Sequence, residues 1–309
     1  MSKPAPLPPG TWVGDYQIVR RLATGGFGIV YLAEDTAQKR VALKEYLPAS
    51  LAQRGLGELT PRVDPDKLPL YRLGQKSFFE EARALAQITH PGVVSVLNFL
   101  RENDTVYMVM DYLHGDTLQQ FIVTAREVKG AKVLREATVR SLLEEILSGL
   151  ASVHEHGMLH LDIKPANVFI TDDNRAVLLD FGAAREVFNQ EANFVRPMYT
   201  PGFAAPEMYQ RGALLGTWTD LYALGACIYA CMQGYPPSDV PQRLDRDRLD
   251  QSLSRLREVY SDNLLHITRW CMALDPLARP QNVAELQQAL RQKPALSGIK
   301  SCPRSELST

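Results

Sequence analysis

The stretch His160-Leu161-Asp162-Ile163-Lys164-Pro165-Ala166-Asn167, followed thirteen residues later by Asp180-Phe181-Gly182, is the most specific part of this 309-residue sequence. Asp162 offers a carboxylate able to accept a hydroxyl proton or to orient the hydroxyl. Lys164 supplies a cation that can neutralise charge on a moving phosphoryl group. Asn167 offers a side-chain oxygen suited to a hard cation such as Mg2+, and Asp180 a carboxylate to carry the metal charge. Any one of these is an ordinary turn residue on its own. In this order and at this spacing they supply what phosphoryl transfer needs: an oriented acceptor, a metal site and charge neutralisation.

Working outward toward the N-terminus, short β-type runs alternate with glycine. Tyr16-Gln17-Ile18-Val19, Ile29-Val30-Tyr31-Leu32-Ala33 and Val41-Ala42-Leu43-Lys44 read as strands of an antiparallel meander. Between the first two, Thr24-Gly25-Gly26-Phe27-Gly28 turns the chain. A glycine turn between two strands is not the strand-to-helix setting of a dinucleotide or Walker A loop; it fits a flap over a triphosphate. A side chain there would hold the backbone amides away from phosphate oxygens. Lys44 ends an apolar strand 16 residues after Gly28, where a point charge can hold phosphates if a carboxylate fixes it. A long stretch, residues 45–76, rich in proline, glycine and charge, reads as an insertion. Helical spacing follows from Phe78 to Ile88, then two strands at Val93–Leu97 and Val106–Met110.

After Leu118 the pattern is helical. Thr138 to His156 carries a stripe at Val139, Leu142, Leu143, Ile146, Leu150 and Val153, and Trp218–Gln233, Leu249–Ala273 and Val283–Leu290 read as further helices. Short strands at Val168–Ile170 and Val177–Leu179 interrupt them. The first ten residues hold four prolines, so residues 1–14 are expected to be a disordered tail and residues 293–309 a flexible one. Apolar residues make up 45% and charged residues 22%, the composition of a globular protein, and the net charge of −1 gives no reason to expect nucleic acid as a partner. Cys227, Cys231, Cys271 and Cys302 form no Cys-x-x-Cys pair and read as buried free thiols. The longest apolar run, Leu221–Met232, is too short to span a bilayer, and the first residues lack a signal-peptide core; the expected location is cytoplasmic.

From about Tyr16 to Leu290 the chain resembles a eukaryotic-type (Hanks-type) protein kinase of the bacterial serine/threonine group. The flap, Val41-Ala42-Leu43-Lys44, the catalytic loop, Asp180-Phe181-Gly182 and Ala205-Pro206-Glu207 occur in that family's order. Lys44-Glu45-Tyr46-Leu47-Pro48 before a long insert is similar to one group of bacterial kinases. The resemblance implies an α+β, bilobal kinase fold over residues 15–292: a small antiparallel β lobe with one helix, the family's αC, over 15–111, and a large, mainly α lobe over 115–292. It implies Asp162, Lys164, Lys44 and Glu81 as catalytic residues, with Glu81 fixing Lys44 because Ala82-Arg83 follows it in the usual pattern. ATP would meet Leu22, Gly25, Gly26, Gly28, Val30, Ala42, Lys44, Met110 as gatekeeper, the backbone of Asp111 and Leu113, and Phe169 beneath the adenine. Asn167 and Asp180 would hold Mg2+, with Mn2+ a possible substitute, and Thr200 would belong to the peptide platform. Asp220 resembles the aspartate that bonds the catalytic-loop backbone, and Arg279 the arginine that pairs with Glu207. Implied partners are protein substrates and a cognate serine/threonine phosphatase.

Two positions depart from the family pattern. Ala23 stands where the flap's first glycine normally lies, and Leu161 where an arginine usually precedes the catalytic aspartate. That arginine gathers a phosphate on the activation loop. Between Asp180 and Glu207 the only hydroxyl side chains are Tyr199 and Thr200. Two rival readings remain open at this point, an inactive scaffold of the same fold and a small-molecule kinase. The first usually loses Lys44, Asp162 or Asp180 equivalents; the second typically lacks Ala205-Pro206-Glu207 and a platform like Thr200-Pro201-Gly202-Phe203.

Overall fold

The computed structural model describes residues 4–129, 134–181 and 199–291. Its N-terminal half is a six-stranded antiparallel sheet in the order β1-β2-β3-β4-β8-β7, formed by β1 (Trp12–Val13), β2 (Tyr16–Thr24), β3 (Gly28–Asp35), β4 (Arg40–Tyr46), β7 (Val96–Glu102) and β8 (Thr105–Asp111). The sheet curls until its two ends meet: Gly14 N donates to Glu102 Oε2 at 2.6 Å, and Asn98 Nδ2 to the Tyr16 hydroxyl at 3.4 Å. In β4 the pleat puts Val41, Leu43 and Glu45 on one face, all buried, and Ala42 and Lys44 on the other, toward the cleft. Glycine is obligatory at Gly28, where a Cβ would collide with the carbonyl oxygen of Glu45 on the paired strand. The open positions are Gly25 and Gly26.

Helix α1 runs Leu68–Leu85, beginning ten residues earlier than the periodicity implies, so the last residues of the 45–76 stretch are helical. Its buried stripe, Tyr71, Phe78, Ala82 and Leu85, packs on the sheet. The rest of the insert folds on the small lobe. A two-stranded ribbon of β5 (Ala52–Gln53) and β6 (Arg62–Val63) lies within it, Leu47, Leu51 and Ala52 are buried, and the Tyr46 ring packs at a tilt against Tyr71 and Phe78. Leu56, at its outermost loop, is 91% exposed.

The expected disordered tail needs correction. Leu7 is buried, its N–H donates to the Tyr31 hydroxyl at 3.0 Å, and Ala5 N donates to Arg54 O at 2.9 Å. Prolines lower the entropy lost on ordering an extended segment, and here they let it lie flat along the insert. The strand expected at Val93–Leu97 is also displaced: β7 starts at Val96, while Val93 makes a lone parallel bridge to Leu178.

The C-terminal half is mainly helical. It contains α2 (Leu118–Lys129), α3 (Glu136–Glu155), α4 (Thr217–Gln233), α5 (Val240–Asp245), α6 (Leu249–Ser254), α7 (Asp262–Cys271) and α8 (Val283–Arg291). Strands β9 (Gly115–Thr117), β10 (Val168–Thr171) and β11 (Ala176–Leu178) form a small antiparallel sheet at the junction of the lobes. Every residue of α4 from Thr219 to Met232 is buried, as expected of a helix apolar on all sides at the centre of a lobe. At Gly225 an added Cβ would lie 2.5 Å from Cys271 Cβ, so the glycine lets α4 and α7 approach closely. Cys227, Cys231 and Cys271 are buried free thiols, whereas Cys302 and the expected C-terminal tail lie outside the described residues.

Because the insert is anchored by backbone bonds as well as by apolar burial, its amides are expected to be protected. Hydrogen exchange should find Leu47, Ala49, Leu51 and Ala52 slow and Leu56 fast; rapid exchange throughout residues 51–73 would show the insert to be loosely held.

Candidate active site

The cleft between the lobes is organised from below by one carboxylate. Asp220, fully buried in the first turn of α4, accepts from His160 N and Leu161 N, each at 2.8 Å, and its Oδ2 lies 2.8 Å from His154 Nε2. The positive end of the helix dipole favours a carboxylate there. The two amides are brought to Asp220 by a left-handed backbone at Leu161, φ 60°, an uncommon conformation for a non-glycine residue. Asp180 is the second site residue held at positive φ, 52°. His160 is buried and stacks on Phe181 with ring centroids 4.3 Å apart. Burial holds its imidazole pKa below the usual histidine range, and its Nδ1 accepts from Asp162 N at 3.3 Å. Gly182 lies outside the described residues.

Around Asp162 the polar groups converge. Lys164 Nζ lies 2.8 Å from Asp162 Oδ2 and 3.1 Å from Oδ1, and donates to Thr200 Oγ1 at 3.0 Å; Thr200 Oγ1 donates to Asp162 Oδ1 at 3.3 Å. Asn167 Nδ2 faces three acceptors: Asp162 Oδ2 at 2.6 Å, Asp162 O at 2.9 Å and Asp180 O at 3.2 Å. That fixes the amide orientation and turns Asn167 Oδ1 the other way. Lys44 Nζ lies 3.1 Å from Asp180 Oδ1 and 5.4 Å from the Phe78 ring centroid. An ion pair between Lys44 and Asp180 thus joins the two lobes. Glu81, expected beside Lys44, is buried on α1 at 3% exposure.

Asn167 Oδ1 and Asp180 together fit a hard divalent cation that takes its remaining ligands from water and substrate phosphate. Among the described residues no group of three or more His, Cys, Asp or Glu is placed to hold a metal.

Beside these groups lies a cleft of about 470 Å3. Leu22, Val30, Ala42, Met110, Asp111, Leu113 and Phe169 line it, seven of the expected adenine contacts, with Asp180 at its inner end. Gly25, Gly26 and Gly28 stand apart at the flap turn, which is closed by Gly25 N donating to Gly28 O at 2.9 Å. The mouth adds polar residues that the sequence reading missed, Asp116, Thr117 and Gln120, where Gln120 Oε1 accepts from Thr117 N and Oγ1. Their position just after the interlobe strand β8 was the available signal.

Glu207, seven residues after Thr200, belongs to a buried charge pair. The guanidinium of Arg279 forms a two-pronged pair with Glu207 at 2.8 and 2.9 Å, Thr219 Oγ1 donates to Glu207 Oε1 at 2.8 Å, and Arg279 lies over the Tyr222 ring. Removing one partner of so buried a pair typically costs about 3–5 kcal/mol.

The profile of the protein kinase domain matches residues 16–293. Serine/threonine-protein kinase pkn2 of Myxococcus xanthus is 32% identical over 294 residues, covering 90% of this chain and 32% of the relative. PknD of Chlamydia pneumoniae is 30% identical over 95% of this chain and 32% of its own length. Among solved structures, the apo form of PpkA-294 superposes with a TM-score of 0.82 at 35% identity, covering 92% of this chain and 99% of that one. The fold of this chain is therefore shared with PpkA-294. The chain belongs to the protein kinase family, in its bacterial Hanks-type branch, and spans about a third of the length of these curated relatives. No helix among the described residues is long and apolar enough to cross a membrane.

Asp220 is a positioning residue, and its replacement tests that directly. Asp220→Asn has one oxygen to accept where two now serve, leaving a buried amide unsatisfied at a cost of about 1–3 kcal/mol. Phosphoryl transfer should fall by about a hundredfold through misplacement of Asp162, with circular dichroism unchanged; steady-state kinetics and a thermal melt check both.

Proposed function

We propose that this chain is an ATP-dependent serine/threonine protein kinase that phosphorylates protein hydroxyls, itself included. The observation that carries this reading is the triangle of Asp162, Lys164 and Thr200 facing a cleft of adenine-site character. Leu22, Val30, Ala42, Met110 and Phe169 would sandwich the base, and the Asp111 and Leu113 backbone would meet its edge. Gly25 and Gly26 offer open backbone to the phosphates. Lys44, steadied by Glu81, would hold the α- and β-phosphates. Mg2+, held by Asn167 and Asp180, supplies charge neutralisation on the phosphates when bound.

In this reading the acceptor hydroxyl sits at Asp162, which takes its proton as the oxygen bonds to the γ-phosphorus. The bond to the bridging oxygen breaks and ADP leaves. Lys164 neutralises the transferring group. The arrangement of Lys164 and Thr200 around Asp162 resembles that of serine/threonine kinases, whose acceptor side chains are short. A serine/threonine phosphatase would reverse the modification, and the expected setting is the cytoplasm.

The relevant assay is transfer of radiolabel from γ-labelled ATP, with phosphoamino-acid analysis. Wild type should label serine and threonine and lose activity on chelation of Mg2+, while Lys44→Ala, Asp162→Asn and Asp180→Ala should each fall by several orders of magnitude with melts nearly unchanged. Near-wild-type activity in any of the three, or predominant phosphotyrosine, sinks the assignment.

We further propose that activity does not depend on activation-loop phosphorylation. Leu161 stands where the family's arginine would receive a loop phosphate. Thr200 is engaged with Asp162 and Lys164, and Tyr199 packs against Tyr209 with ring centroids 5.6 Å apart. Phosphatase-treated enzyme should turn over an added substrate linearly from the first seconds. A lag that shortens with enzyme concentration would indicate activation in trans and defeat the idea.

A further inference from the structure

On the face of the small-lobe sheet opposite the ATP cleft, a charged cluster is completely buried. The strand register places Glu45 directly between Ile29 of β3 and Tyr107 of β8, one residue beyond Lys44, with its side chain on the far face. Arg54, from the insert, covers it. The guanidinium grips both carboxylate oxygens, Nη1 to Oε1 at 2.6 Å and Nη2 to Oε2 at 2.7 Å, and both side chains have no exposed surface. Tyr31 and Tyr107 hydroxyls donate to the same carboxylate at 2.8 and 3.2 Å.

The arginine is as completely satisfied. Its remaining donors reach Ala5 O at 2.8 Å, Leu59 O at 3.2 Å and the Tyr31 hydroxyl at 3.0 Å, so every guanidinium N–H has an acceptor. Burial alone would lower the arginine's pKa, but the Glu45 carboxylate reverses that and holds it above the usual value. A charge pair this deep is weak evidence for stability, since apolar side chains of equal volume often serve as well. What it does provide is a single fixed geometry.

The same insert holds the flap. Leu47 N donates to Phe27 O at 2.9 Å and Ala49 N to Gly26 O at 3.0 Å, so two carbonyls at the flap turn are tied to the residues that lead toward Arg54. The flap turn and the Lys44 strand are therefore fastened to one body, the segment Leu47–Arg54. Lys44 and the Gly25–Gly26 backbone are the two elements that the kinase reading sets on the phosphates from above.

We propose that Arg54 is a positioning residue for ATP: through Glu45 and the insert it sets the distance between the flap turn and Lys44, and so the grip on the triphosphate. The proposal rests on the kinase reading above. It carries a signature that mere fold stabilisation lacks, because loosening the insert weakens the upper-lobe contacts to ATP and leaves the peptide platform at Thr200, in the other lobe, untouched.

The test uses the full chain and a variant that removes both charges together, Glu45→Gln with Arg54→Met, which avoids leaving one of them buried alone. Tyr31→Phe, which deletes one hydroxyl from the intact pair, is the milder companion. The double variant should raise KM for ATP by about tenfold, lower kcat less, and leave KM for a peptide substrate within about twofold. Tyr31→Phe should move the same way by roughly two- to threefold. A folded double variant with KM for ATP and kcat like wild type overturns the proposal; if the double variant does not fold, an unchanged KM for ATP in Tyr31→Phe does so. The upward shift of the melting point by Mg-ATP is read in parallel. Should wild type bind Mg-ATP but transfer no phosphate, the kinase reading fails by itself. Positioning by Arg54 then stands or falls on whether the variants show a smaller Mg-ATP shift than wild type.

Discussion

The catalytic loop hangs from the Asp220 carboxylate. Two backbone amides that a loop would otherwise turn to water are bound to a fully buried acceptor, and the left-handed turn at Leu161 is what the binding requires. From that turn the rest of the lower site follows. His160 is directed inward to stack on Phe181, Asp162 emerges on the cleft side, and Asn167 closes back on Asp162 and on the carbonyl of Asp180. A strained residue persists only where its surroundings over-determine it. Here α4, packed on all sides, provides a frame rigid enough to do so.

The upper lobe uses a comparable device with a different chemistry. Its anchor, Glu45, is again a buried carboxylate with every oxygen satisfied, but its partners are a guanidinium and two tyrosines instead of backbone amides. The difference follows from the elements each one serves. Asp220 holds a loop, whose amides are free; Glu45 sits in a strand, whose amides are committed to the ladder, so the anchoring groups must come from side chains. Lys44 and Asp180 join the two assemblies across the cleft at 3.1 Å.

The chemistry-bearing residues were legible in sequence because reaction chemistry restricts both residue type and order: Asp162, Lys164, Asn167, Asp180 and Lys44 fall together where their spacing puts them. The anchors of the small lobe were not. Arg54 lies in a polar, glycine-containing stretch, and nothing local distinguishes a charge that will be covered from one that stays solvated; its burial depends on Glu45, Tyr31 and the N-terminal segment, as far as 49 residues away. The same blindness made the N-terminal prolines read as disorder, although one apolar residue, Leu7, suffices to dock them on a surface already built. The first turns of α1 were missed for a local reason. Pro69 and Gly74 read as breakers, but proline is tolerated in the first helical turn, and Gly74 is buried, where absence of a side chain permits close packing.

The distribution of anchors also bears on control. A kinase that gathers a loop phosphate with an arginine beside the catalytic aspartate can couple loop order to that residue's placement. Here Leu161 occupies that position, and the placement of Asp162 is carried instead by Asp220, which is buried in the lobe core and inaccessible to any modifying group. In the upper lobe the insert and the Pro4–Leu7 segment are held by hydrogen bonds that are buried or partly buried. An input that acts on this kinase domain by shifting a conformational equilibrium must favour one arrangement over another by differential contact.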